Sequence, residues 1–86
     1  LTPRSIIFVD GDHRYEPTVN TVRRIIDEGM DETIIILDDI YWSDGMEKAW
    51  RYLCADERIS LSVDLFKMGI LVQRPGLKKQ HYIVTF

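Results

Sequence analysis

Residues 33–39 read Thr-Ile-Ile-Ile-Leu-Asp-Asp, and residues 5–10 read Ser-Ile-Ile-Phe-Val-Asp. Each is a short, β-branched apolar run that stops at a carboxylate. Runs of this length, apolar at successive positions, are the mark of strands covered on both faces, as parallel strands are. Between them, Val19, Val22 and Ile26 recur at i, i+3, i+7, with Ile25 and Met30 flanking the stripe. That period predicts a helix with one buried face. Pro17 suits its first position and Gly29 its C-terminal cap. The first third is therefore strand, helix, strand, a βαβ unit with the usual right-handed crossover expected.

Working outward, Met46, Ala49, Trp50, Leu53 and Cys54 form a second helical stripe. Asp44 with Glu47 three residues on reads as a capping box. Trp50 and Met46 are taken as core. Beyond them, Ile59, Leu61, Val63 and Leu65 alternate with Ser60, Ser62 and Asp64, the period of a half-buried strand. Ile70 to Gln73 follows after a tight connection, which predicts an antiparallel hairpin. Pro75-Gly76 makes a turn, and residues 81–86 alternate once more as a final short strand. The expected fold is α/β, in the order β-α-β-α-β-β, with parallel strands closing on an antiparallel hairpin.

The bulk properties narrow the classes. Eighty-six residues, 45% hydrophobic and 29% charged, suit one small globular unit. A net charge of −3 gives no electrostatic reason to expect nucleic acid or an anionic membrane as partner. No apolar run nears the ~20 residues of a membrane span, and no signal peptide stands out, so the cytoplasm is the default location. The one cysteine, Cys54, has no disulfide partner within the chain and sits on an apolar helix face, where it reads as a small buried hydrophobe. The chain starts at Leu1 and enters its first strand within five residues. It reads as a single partial domain, residues 1–86 of something longer. With no strand ahead of Ser5, the first strand has an unpaired edge that invites pairing with a second copy.

Ligands of open α/β sheets bind beyond the C-terminal ends of the parallel strands. Two acidic clusters fall there: Asp10-Gly11-Asp12-His13 and Asp38-Asp39. Gathered in one crevice, such carboxylates share protons or hold a hard cation, Mg²⁺, Mn²⁺ or Ca²⁺. A cation of that kind lowers the pKa of a bound hydroxyl. His13 titrates near neutrality, as a general base needs. The bland reading is that Asp and Gly after a strand are ordinary turn residues.

Phe8-Val9-Asp10-Gly11-Asp12-His13 with Tyr15-Glu16, and Ile36-Leu37-Asp38-Asp39-Ile40-Tyr41-Trp42, resemble the ends of the fourth and fifth strands of class I S-adenosylmethionine-dependent methyltransferases. Ser60 to Gln73 resembles their sixth and seventh strands, the seventh antiparallel. The chain is more distantly similar to catechol, caffeoyl-CoA and macrolide sugar O-methyltransferases. The resemblance implies the C-terminal half of a Rossmann-like methyltransferase sheet. It implies a Mg²⁺ or Mn²⁺ site on Asp10, Asp38 and Asp39, with His13 as base for a small-molecule hydroxyl. It also implies that Gly11 and Asp12 edge the adenine pocket, and that Tyr41 and Trp42 shape the acceptor pocket or else pack under the next helix. The family's Gly-rich cofactor turn is missing, since the five glycines stand singly. These residues alone should therefore bind S-adenosylmethionine weakly or not at all.

Two rivals stay open. In a haloacid dehalogenase-like phosphatase Asp10 would be the nucleophile and Asp12 the general acid, though Arg14 and Tyr15 follow where Thr or Val is usual. In a non-catalytic α/β module, the first strand would pair with a partner or with itself, and the acids would serve solubility.

Overall fold

The computed structural model describes residues 4–9, 14–28 and 32–85. The apolar run that ends at Asp38 is an interior strand of its five-stranded sheet. Strand β2 (Glu32–Asp38) buries Thr33, Ile35 and Leu37 on one face, while Ile34 and Ile36 on the other are half-buried. Strand β1 (Arg4–Val9) lies parallel to it, with Val9 opposite Leu37. Helix α1 (Tyr15–Glu28) joins them and buries Val19, Val22 and Ile26, the residues its period marked. It begins earlier than Pro17 suggests. Pro17 is its third residue, where a missing N–H costs nothing because the first turn has no intrahelical acceptors to fill. The expected cap at Gly29, and Met30, lie outside the described residues.

Helix α2 (Asp44–Cys54) buries Met46, Ala49, Trp50 and Leu53. Its cap is not the Asp44–Glu47 box. Ser43 takes extended backbone angles, and its hydroxyl accepts from the Met46 N–H at 3.1 Å. Asp44 and Glu47 instead stand in the first turn, where negative charge meets the positive end of the helix dipole.

Three strands complete a five-stranded open sheet in the order β1-β2-β4-β3-β5. Strand β4 (Met68–Gln73) is antiparallel both to β2 and to β3 (Leu61–Asp64), so the expected hairpin forms with β4 on its inner side. Strand β5 (Gln80–Ile83) is the final short strand and runs parallel to β3. The register aligns Ile35, Leu71, Ser62 and His81 across the sheet. Both helices pack on that face, and the core is built from Val22, Ile26, Ile35, Leu37, Met46, Trp50, Leu53 and Leu71. The opposite face carries Ile6, Phe8, Ile34, Ile36, Ile70, Val72, Leu61 and Val63, with no helix of the described residues over it. Ile6 and Phe8 are accordingly exposed. β1 forms one edge of this sheet.

The alternation of β3 is real, but its polar members are the buried ones. Ser60, Ser62 and Asp64 face the helix side and are buried, while Leu61 and Val63 lie on the uncovered face. Hydrogen bonds make this tolerable. Ser60 donates to the Arg74 carbonyl at 2.5 Å, Ser62 pairs with His81 Nδ1 at 2.5 Å, and Asp64 accepts from Tyr41 and from the Phe66 N–H. On the outer side of α1, Arg58 bonds both Asp56 and Asp27 and ties the α2–β3 loop to that helix. No helix among the described residues is long and apolar enough to cross a membrane.

Trp50 can lie flat on the sheet only because residue 69 has no side chain. A Cβ at Gly69 would stand 2.4 Å from Trp50 Cζ3. Trp50 is almost fully buried. Gly69→Ala should therefore cost about 1–3 kcal/mol, as overpacking does. Urea unfolding followed by tryptophan fluorescence checks this. An unchanged midpoint would mean that the ring does not rest there.

Candidate functional site

Because β4 runs against both neighbours, β1, β2, β3 and β5 all point the same way. Their C-terminal residues Val9, Asp38, Asp64 and Ile83 therefore fall at one end of the sheet. That is the end at which open α/β sheets bind ligands. Two connections rise over it, the β2–α2 loop of residues 39–43 and the β3–β4 turn of residues 65–67.

The turn is fastened at each position. Leu65 N–H donates to the Met68 carbonyl at 2.9 Å, Lys67 N–H to the Leu65 carbonyl at 2.8 Å, and Phe66 N–H to Asp64 Oδ1 at 2.8 Å. Asp39 N–H donates to the Lys67 carbonyl at 2.7 Å, which binds the loop to the turn. Asp39 and Phe66 sit at φ 52° and 68°, the left-handed region that side chains disfavour. For Phe66 the result is a ring 67% exposed at the mouth of a concavity.

That concavity is a pocket of about 790 Å³ lined by Tyr41, Asp64, Leu65, Phe66, Lys67, Met68 and Ile83 to Thr85. The Tyr41 and Phe66 rings form one wall, 5.8 Å apart and tilted by 31°. The Tyr41 hydroxyl donates to Asp64 Oδ2. This bond, then burial, then the negative charge of Asp64, pushes the Tyr41 phenol up to about 12.

A smaller groove of about 370 Å³ adjoins it, lined by Trp50, Cys54, His81 and again Tyr41 and Asp64. Burial pushes the Cys54 thiol up to about 11, and Ser62 and Lys79 only partly oppose it. Cys54 is half-buried against the core, in keeping with a small hydrophobe rather than a reactive thiolate.

Of the residues the sequence singled out, Asp38 and Asp39 stand at the end of β2, as expected. Asp38 is paired in register with Met68, on the uncovered face, and Asp39 opens the loop. Both are half-buried and offer only oxygen donors, the chemistry that Mg²⁺ and Mn²⁺ take. Asp10, Gly11, Asp12 and His13 lie outside the described residues. Among the described residues no three His, Cys, Asp or Glu side chains form a metal-holding group. Tyr41 lines the pocket, whereas Trp42 does not and is exposed.

Asp64, Phe66 and Lys67 went unmarked in the sequence. A signal for Asp64 was present, since it ends a parallel strand just as Asp38 does. Compared with protein-family models, with curated proteins and with solved structures, the chain matches none.

The Tyr41–Asp64 bond has a direct readout. Of the four tyrosines, one should ionise near about 12, well above the ordinary 10.0. Asp64→Asn should bring it back toward the ordinary range. Because the folded phenol holds its proton more tightly than the unfolded one, the stability it brings is complete below pH 10. That stability drains away as the pH rises toward about 12. An ultraviolet titration of the phenolate band checks this, and four phenols ionising together in the native protein would contradict it.

Proposed function

We propose that the chain forms the C-terminal half of an S-adenosylmethionine-dependent methyltransferase domain that methylates a small-molecule hydroxyl with the help of Mg²⁺ or Mn²⁺. The observation that carries this reading is the sheet end. β1 and β2 are parallel neighbours, Val9 lies opposite Leu37, and β2 finishes at Asp38 with Asp39 opening the loop that follows. β4 is antiparallel to both of its neighbours, the direction that the resemblance expects of a seventh strand, which supports the reading. The uncovered sheet face and the outer edge of β1 favour it too, because parallel sheets are ordinarily covered on both faces.

In this reading Asp10, Asp38 and Asp39 hold the cation, which would lower the pKa of the acceptor hydroxyl. His13 takes the hydroxyl proton. Gly11 and Asp12 edge the adenine. S-adenosylmethionine, held mainly by residues beyond these 86, would supply the methyl group from its sulfonium and leave as the neutral thioether. Tyr41 and Phe66 orient the acceptor, and holding two reactants in line is the larger part of the rate gain.

The same uncovered face favours a second reading, a non-catalytic module that pairs with another protein through it. Metal binding separates the two. With Mn²⁺ added to the chain, backbone amide signals around Asp38 and Asp39 should broaden saturably. Asp38→Ala should weaken the effect roughly tenfold or more, the scale at which losing a metal-site group is felt. No saturable broadening in a folded chain would remove the metal-assisted reading.

A further inference from the structure

We propose that the pocket between the β3–β4 turn and the end of β5 binds an organic ammonium carried on an apolar, ring-sized body. This is the pocket whose Tyr41 and Phe66 would orient the acceptor, but the assignment does not need methyl transfer and rests on the surroundings of one carboxylate. Asp64 is 4% exposed, and its partners are the Tyr41 hydroxyl and the Phe66 N–H, both neutral. Among the described residues no Lys, Arg or His forms an ion pair with it. The two oxygens of a carboxylate offer about four acceptor positions, so roughly two remain. A carboxylate out of water is costly unless a cation meets it.

The surroundings specify the rest of the ligand. The Tyr41 and Phe66 rings line the same pocket as Asp64, 5.8 Å apart, and Leu65, Met68, Ile83 and Val84 complete an apolar lining. A cation between a carboxylate and ring faces gains from both. About 790 Å³ is ample for a ring and a short arm. The Phe66 ring is held at the mouth by the bond from its own N–H to Asp64, so the group that meets the charge also sets the wall. Tyr41 is partly exposed, and its hydroxyl takes one acceptor position of Asp64, leaving the remaining positions to the ligand. Lys67 is the cation of the lining, but it is exposed at the rim, where solvent screens it. An anion would meet Asp64 unfavourably, and a neutral ligand would use the apolar lining alone.

Three probes share one body: 2-phenylethylammonium, 2-phenylethanol and phenylacetate. Each is titrated into the chain without metal or S-adenosylmethionine, following the methyl signals of Met68, Ile83 and Val84 by NMR. The ammonium should bind about tenfold or more tighter than the alcohol, the range of a hydrogen bond to a charged group. Phenylacetate should bind weakest. Asp64→Asn, which keeps the shape, should erase the preference for the ammonium. Phe66→Ala, at an exposed position, should weaken the ammonium and the alcohol alike. Equal affinity for ammonium and alcohol would overturn the proposal. So would a preference that survives Asp64→Asn, a Phe66→Ala variant that binds as tightly as the native chain, or shifts confined to other methyls. Because no metal or cofactor is present, these outcomes leave the methyltransferase reading to its own test.

Discussion

β4 runs against both of its neighbours, and its Gly69 lies beneath the Trp50 ring. Most of the molecule follows from that placement. With β4 between them, β2 and β3 become parallel to each other, and their acidic ends come to the same side of the sheet. The turn that leads into β4 then sits over those ends, close enough for the Lys67 carbonyl to take the Asp39 N–H. Trp50 presses α2 onto the sheet at the same spot and joins Leu53, Leu71 and Ile35 in one core. A side chain at residue 69 would lift the helix from the sheet and move the loop that follows Asp39.

The second constraint is the polar inner side of β3. Ser60, Ser62 and Asp64 occupy positions where an ordinary strand would bury aliphatic groups. Their partners come from residues 41, 66, 74 and 81, so the hydrogen bonds fasten the hairpin, the β2–α2 loop and β5 to one strand. Burying a polar group without such partners costs a few kcal/mol, which makes these positions intolerant of a lost partner. The arrangement also leaves the aliphatic residues of β3 on the uncovered face, in line with Ile70, Val72, Ile34 and Ile36.

Local pattern carried much of this into view. β1 and β2 were legible because consecutive β-branched residues ending in an acid suit little else, and both helices because their stripes were complete. The sense of β3 was not legible. Period two separates two faces of a strand without saying which faces the helices, and the usual assumption that the apolar side is inward fails here. The cap of α2 was read one residue late, since Ser43 and Asp44 are both good caps and only backbone angles choose between them. Asp38 and Asp39 were found by their place at a strand end. Asp64 and Phe66 were missed because their environment depends on contacts with Tyr41 and with the end of β5, which no local window contains.

The most direct test is of the strand order itself, by nuclear Overhauser contacts between backbone protons in the folded chain. Cross-strand contacts should follow the antiparallel register that pairs Ile35 with Leu71 and Leu37 with Gly69. On the other side of β4 they should pair Val63 with Ile70. β2 and β3 should share no direct backbone contact. Contacts between β2 and β3, or β4 found at the sheet edge, would contradict the account, because the acidic strand ends and the pocket above them would then no longer share one side.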